Sequence, residues 1–180
     1  LDSVYSALGF QHIGISDYNT INYYDSANPS FVPTYEHGYG IFKIHQLCIG
    51  AEKVRPIDYL LFQNLSMKQH TLNRLSKHAR LVIPAHPSFV KKGYLVEDMK
   101  YLSNYKLMEV LNGFRISTDH WDTALSNGHL VYLIGNDDSH DVTDVSDVAK
   151  RFTMINAPEN EAELLLQALE NGNAVGVDFQ

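Results

Sequence analysis

The chain has 180 residues, 44% of them hydrophobic and 19% charged, with a formal net charge of −7. That length supports one domain with a proper core, and the composition is that of a soluble globular protein. No apolar run reaches the roughly 18 residues a membrane helix needs, and the acidic balance argues against a general nucleic-acid binder.

The opening residues, Leu1-Asp2-Ser3-Val4, carry no basic signal-peptide region, which favours a cytoplasmic expectation, and no initiator Met, as expected of a processed or truncated product whose upstream signals lie outside this sequence. Cys48 is the single cysteine and excludes an internal disulfide; within Leu47-Cys48-Ile49 it reads as a small core residue. Histidine stands out, with nine against 14 Lys plus Arg.

In chain order, Asp2 to Leu8 reads as a short helix ended by Gly9. His12-Ile13-Gly14-Ile15 reads as a strand entering Ser16-Asp17-Tyr18-Asn19. A strand ending at Glu36 follows, then one from Ile41 to Ile49 with His45 in its middle. Ser66 to Ala79 has Leu72, Leu75 and Ala79 on one helical stripe. Leu81 to Ala85 is a strand that delivers His86-Pro87. A short helix over 97–105 precedes a strand over 107–111, which ends at Asn112-Gly113. A helix over 119–127 stops at Gly128, and a strand over 130–134 runs into Asn136-Asp137-Asp138-Ser139-His140. Asn160 and Glu163 suggest a capping box for a last helix ended by Gly172, before a short strand over 174–177.

Alternating strands and helices predict a mainly parallel α/β sheet or barrel, with its site at the C-terminal strand ends. The residues expected there are Asp17, Glu36, His86, Asn112, Asp138 and His140. Nearly all are metal-ligand types, and oxygen with imidazole donors suits Zn, Mn or Fe. Asp138-Ser139-His140 would aim both side chains one way in extended backbone; a polar turn is the plain alternative. Proline at position 87 predicts an extended His86. His45 shares parity with Leu47 and Ile49, which predicts burial, as a ligand or as a core histidine. Asp17 could equally cap a turn with Asn19 and Thr20. His37 alternates away from Glu36 as a bystander. No nucleophile elbow, P-loop, dinucleotide fingerprint or C-x-x-C pair is present.

These motifs together resemble the PHP (polymerase and histidinol phosphatase) family of metal-dependent phosphoesterases. The resemblance is carried by Ile15-Ser16-Asp17-Tyr18-Asn19-Thr20, Val32-Pro33-Thr34-Tyr35-Glu36, His45-Gln46-Leu47-Cys48-Ile49, Ala85-His86-Pro87, Glu109-Val110-Leu111-Asn112 and Gly135-Asn136-Asp137-Asp138-Ser139-His140. It implies a distorted (β/α)7, TIM-like barrel over residues 1–180, with strands near 12–16, 32–36, 43–49, 81–85, 107–111 and 130–134. It also implies divalent metal ions (Zn, Mn or Fe), two or three in a complete family member and fewer here.

The implied ligands are Asp17, Glu36, His45, His86, Asp138 and His140, while Asp137 and Asp141 orient their loop. Two features depart from the family. Its first strand, carrying H-x-H, is absent, so the chain is expected to be an N-terminally incomplete domain. A family histidine is replaced by Tyr18, a poor ligand near neutral pH.

The resulting expectation is a phosphoesterase acting on a small phosphorylated substrate, a nucleotide included. His140 or His86 would serve as the catalytic acid. Arg115, Asn112 and Tyr18, with Lys91 and Lys92 beyond His86, would meet the substrate. A degenerate PHP-like module that binds a metal or ligand without turnover is the alternative. A metal-dependent amidohydrolase is a weaker rival, because its usual H-x-H and bridging lysine are not visible.

Overall fold

The computed structural model describes residues 2–91 and 93–179. A short helix α1 (Asp2–Ala7) leads through a long irregular segment to β1 (Thr34–His37). β2 (Gln46–Ala51), α2 (Leu65–Leu75) and β3 (Ala79–Pro84) follow. A 3-10 turn over Val96–Lys100 precedes β4 (Leu107–Asn112), α3 (Thr118–Ser126) and β5 (Tyr132–Asn136). The chain closes with β6 (Arg151–Ile155), α4 (Ala162–Glu170) and β7 (Ala174–Asp178).

The fold is mixed α/β, and the expected (β/α)7 barrel is not formed. Among the described residues the strands make three small sheets, ordered β1-β2-β3, β4-β5 and β6-β7. Only β4 and β5 form a parallel ladder; β2 runs antiparallel to both β1 and β3, and β6 antiparallel to β7. The loop from His37 to Gln46 shows why. Eight residues suffice for a hairpin, whereas a parallel crossover needs about a dozen or more. The strand expected over 12–16 forms no ladder; just beyond it, Tyr18 makes one parallel bridge to Glu36. The strand over Arg151–Ile155 is an element the sequence reading did not anticipate.

Two apolar clusters cover the faces of the strands. Cys48, Val82, Met108 and Val110 pack with Leu72 and Leu75 of α2 and Ala124 of α3. Leu47, Leu81, Ile83, Leu107 and Ile134 pack with Leu166 and Leu169 of α4. Residues i and i+2 of a strand share a face, so Glu109 stands on the α4 side, next along from Leu107. α2 begins under a true cap, because the Asn64 side chain accepts the Met67 N–H at 2.9 Å. The anticipated capping box of α4 is not made: Glu161 is the N-cap, and Asn160 donates to the Gln11 carbonyl at 2.7 Å instead.

Candidate metal centre

The antiparallel β2 brings the start of one strand beside the ends of two others. Gln46, at the head of β2, pairs with His37 at the end of β1 and Pro84 at the end of β3. His45 therefore lies between Glu36 and His86, although it precedes its strand instead of following it. The Ala85 N–H donates to the His45 carbonyl at 3.1 Å and locks the register one step further.

One potential ligand atom from each of Glu36, His45 and His86 lies within 4.8 Å of the others, and all three residues are buried. Oε1 of Glu36 is 2.6 Å from His45 Nδ1 and 3.1 Å from His86 Nε2. Nε2 of His45 and Nδ1 of His86 are buried without a hydrogen-bond partner, and His45 Nδ1 meets the Glu36 carboxylate. Buried polar atoms are normally satisfied, and an orphan costs about 1–3 kcal/mol. Burial alone would raise the Glu36 carboxyl, but the two imidazoles hold it down to about 2. An ionised carboxylate and imidazole nitrogens with free lone pairs form a donor set that fits a borderline divalent cation.

Asp138 joins from the neighbouring sheet. It follows β5, and its Oδ2 accepts from Asn112 Nδ2 at 3.1 Å. Burial raises its carboxyl; Glu36 adds to the rise, while Asn112 and His86 oppose it. Asp138 and Glu36 therefore repel each other across the site, a cost a cation between them would remove.

The backbone around these residues is unusual. Asn19, Lys43, His86 and Asp138 all have positive φ, at 50°, 50°, 31° and 54°. Such conformations cost on the order of 1–3 kcal/mol each and cluster at functional sites. His86 is thus not extended as its proline neighbour suggested; its N–H is pulled onto Glu109 Oε2 at 2.6 Å. Asp138 likewise breaks the extended D-x-H geometry. His140 turns outward, with Nδ1 2.7 Å from the Asp138 carbonyl and an exposed ring near Phe114.

Asp17 is exposed and accepts from Asn22 at 3.1 Å, while its carbonyl accepts the Glu36 N–H. Asp17, Asp138 and His140 lie outside the close trio. Tyr18 stands at the mouth, 5.2 Å from His45 between ring centroids; burial, with Glu36 and Asp138, pushes its hydroxyl up to about 12. Arg115 is exposed and bonded to the Phe114 carbonyl. Lys91 is exposed too, and Lys92 lies outside the described residues. His37 faces away, with its ring against Gln46 and the Ile57 carbonyl. Asp137 is a structural knot: it accepts from the Tyr5 hydroxyl and from the N–H groups of Ala149 and Arg151.

Glu109 is the residue the sequence reading left out. It is 2% exposed, and besides the His86 N–H it accepts from Asn136 Nδ2 at 3.0 Å. Burial raises its carboxyl to about 7, against the pull of His86. The available signal was a lone acid inside the apolar run Leu107-Met108-Glu109-Val110-Leu111.

No family model matches the chain, and no curated protein matches it. Among solved structures it is similar to a two-domain protein from Bacteroides vulgatus containing a predicted PHP-like metal-dependent phosphoesterase. The TM-score is 0.60 at 16% identity, over 82% of this chain and 44% of that one. The chain thus spans less than half of that protein, and what they share is the fold.

Proposed function

We propose that the chain holds a divalent metal ion through Glu36, His45 and His86, with Asp138 reaching in from the neighbouring sheet, and that it serves a phosphoesterase of the PHP type. The observation that carries this reading is His45, 1% exposed, with Nδ1 2.6 Å from an ionised carboxylate and Nε2 without a hydrogen-bond partner. The motif resemblance and the fold shared with a PHP-like protein supply the reaction class.

A divalent metal bound there supplies Lewis acidity toward a phosphoryl oxygen and makes water more acidic. The chain's own residues do the rest. Asn112 fixes the Asp138 carboxylate, Glu109 fixes the His86 backbone, and the role assigned to the outward, exposed His140 is protonation of the leaving group.

Elemental analysis, titration with Zn and Mn, and phosphate release from 4-nitrophenyl phosphate test the reading. Metal uptake with phosphate release is expected. Absence of uptake of either metal would overturn it. Uptake without release would favour the second reading, a metal-binding module without turnover. Tyr18 speaks for that reading, because a phenol held at about 12 stands where the family has a histidine ligand.

A further inference from the structure

An arc of rings runs across the mouth of this site. Tyr18 lies 5.2 Å from His45, His45 5.1 Å from His86, and His86 5.1 Å from Phe89, between centroids. Phe89 lies 6.2 Å from Phe114, and Phe114 5.8 Å from His140. None of these contacts is a parallel stack; interplanar angles run from 55° to 85°. The three carbocyclic rings are exposed, Tyr18 by 48%, Phe89 by 37% and Phe114 by 40%.

An ammonium group stands over the first ring of the arc and another over its last carbocyclic ring. Lys43 Nζ is 5.6 Å from the Tyr18 centroid, and Lys150 Nζ is 5.6 Å from that of Phe114. Lys150 is shared with Asp147 at 3.5 Å. Lys43 is exposed and has no carboxylate partner among the described residues. Exposed aromatics also occur elsewhere, among them Tyr23, Tyr24, Tyr39 and Tyr101.

Exposed rings gain little from water and much from a planar partner. Cations over these two rings favour an anionic ligand. We infer that this mouth selects phosphate esters whose alcohol part is a planar aromatic ring, with Phe89 and Phe114 receiving the ring and Lys43 attracting the phosphate. The inference rests on the phosphoesterase reading for its anion and adds the class of leaving group.

The test uses benzylphosphonate and cyclohexylmethylphosphonate, which match in charge and nearly in size. Binding of each to the Mn-loaded chain is measured by calorimetry. Benzylphosphonate is expected to bind about five-fold tighter, as an aromatic contact would give. Phe89→Leu and Phe114→Leu should each bring that ratio toward one. Lys43→Met should weaken both ligands alike. Circular dichroism checks that each variant keeps its fold, which their exposed positions favour. Equal affinities, tighter binding of the cyclohexyl compound, or no binding of either overturns the inference. Phosphate release from 4-nitrophenyl phosphate and glycerol phosphate reports the phosphoesterase reading separately. Release with equal phosphonate affinities removes the ring selectivity alone, whereas ring selectivity without release removes the hydrolase reading alone.

Discussion

Glu109 Oε2 accepts the His86 backbone N–H at 2.6 Å, and this bond joins the middle of β4 to the residue that leaves β3 in a left-handed conformation. The Glu109 carboxyl is raised from 4.5 to about 7 by burial. A carboxyl raised on folding contributes stability that is full below its unfolded value and is lost as pH rises through its folded value. In the metal-free protein the contribution of Glu109 should therefore fall between about pH 4.5 and 7. Glu109→Gln keeps an acceptor for His86 but cannot ionise, so its stability should be flatter over that window. Urea denaturation at pH 5 and pH 8 measures both proteins; parallel losses in the two would refute the account.

His45→Gln should reduce zinc affinity at least about ten-fold, the low end for disturbing a metal site. The substitution removes the ring nitrogen beside Glu36 and a buried Nε2 without a hydrogen-bond partner. Calorimetric titration of zinc decides it, and unchanged affinity would mean that His45 is a packed core histidine.

Metal affinity should fall on acidification, beginning above the ordinary histidine value of 6.5. Burial lowers the His86 imidazole, but Glu36 and Glu109 together raise it above that value. A metal must displace the proton that these carboxylates stabilise. Zinc titrations from pH 8 down to pH 6 should show weakening that starts on the alkaline side of pH 6.5. A flat profile across that range would exclude His86 as a ligand.

Gly113→Ala should destabilise the protein by about 1–3 kcal/mol, the usual range for overpacking. A Cβ at this position would lie 1.8 Å from the Asp137 carbonyl oxygen. Relief requires the loops after β4 and β5 to part, which also stretches the 3.1 Å bond from Asn112 to Asp138. Thermal melting measures the first effect and metal titration the second. A melting temperature equal to that of the wild type would show that the loops separate freely.

The sequence by itself determined which segments carry the chemistry. Periodicity over residues 66–79 marked α2, overrunning its end at Leu75 into the start of β3, and the apolar runs ending at Glu36, Ala85 and Leu111 marked three strands with polar residues just beyond them. Those signals are local, because side-chain alternation and helical spacing need only neighbouring residues. Pairing is not local. Only the tertiary structure decided that β2 runs antiparallel, which carries His45 from mid-strand in the sequence reading to the rim beside Glu36 and His86. It also decided that Asp138 and His86 take positive φ, which turns His140 outward and ties the His86 N–H to Glu109. An acid inside an apolar strand reads alike whether it faces a neighbouring backbone or solvent. What separates the two is the partner across the sheet, and that partner is set by burial of the whole core, since no stretch of residues around Glu109 encodes where His86 will come to lie.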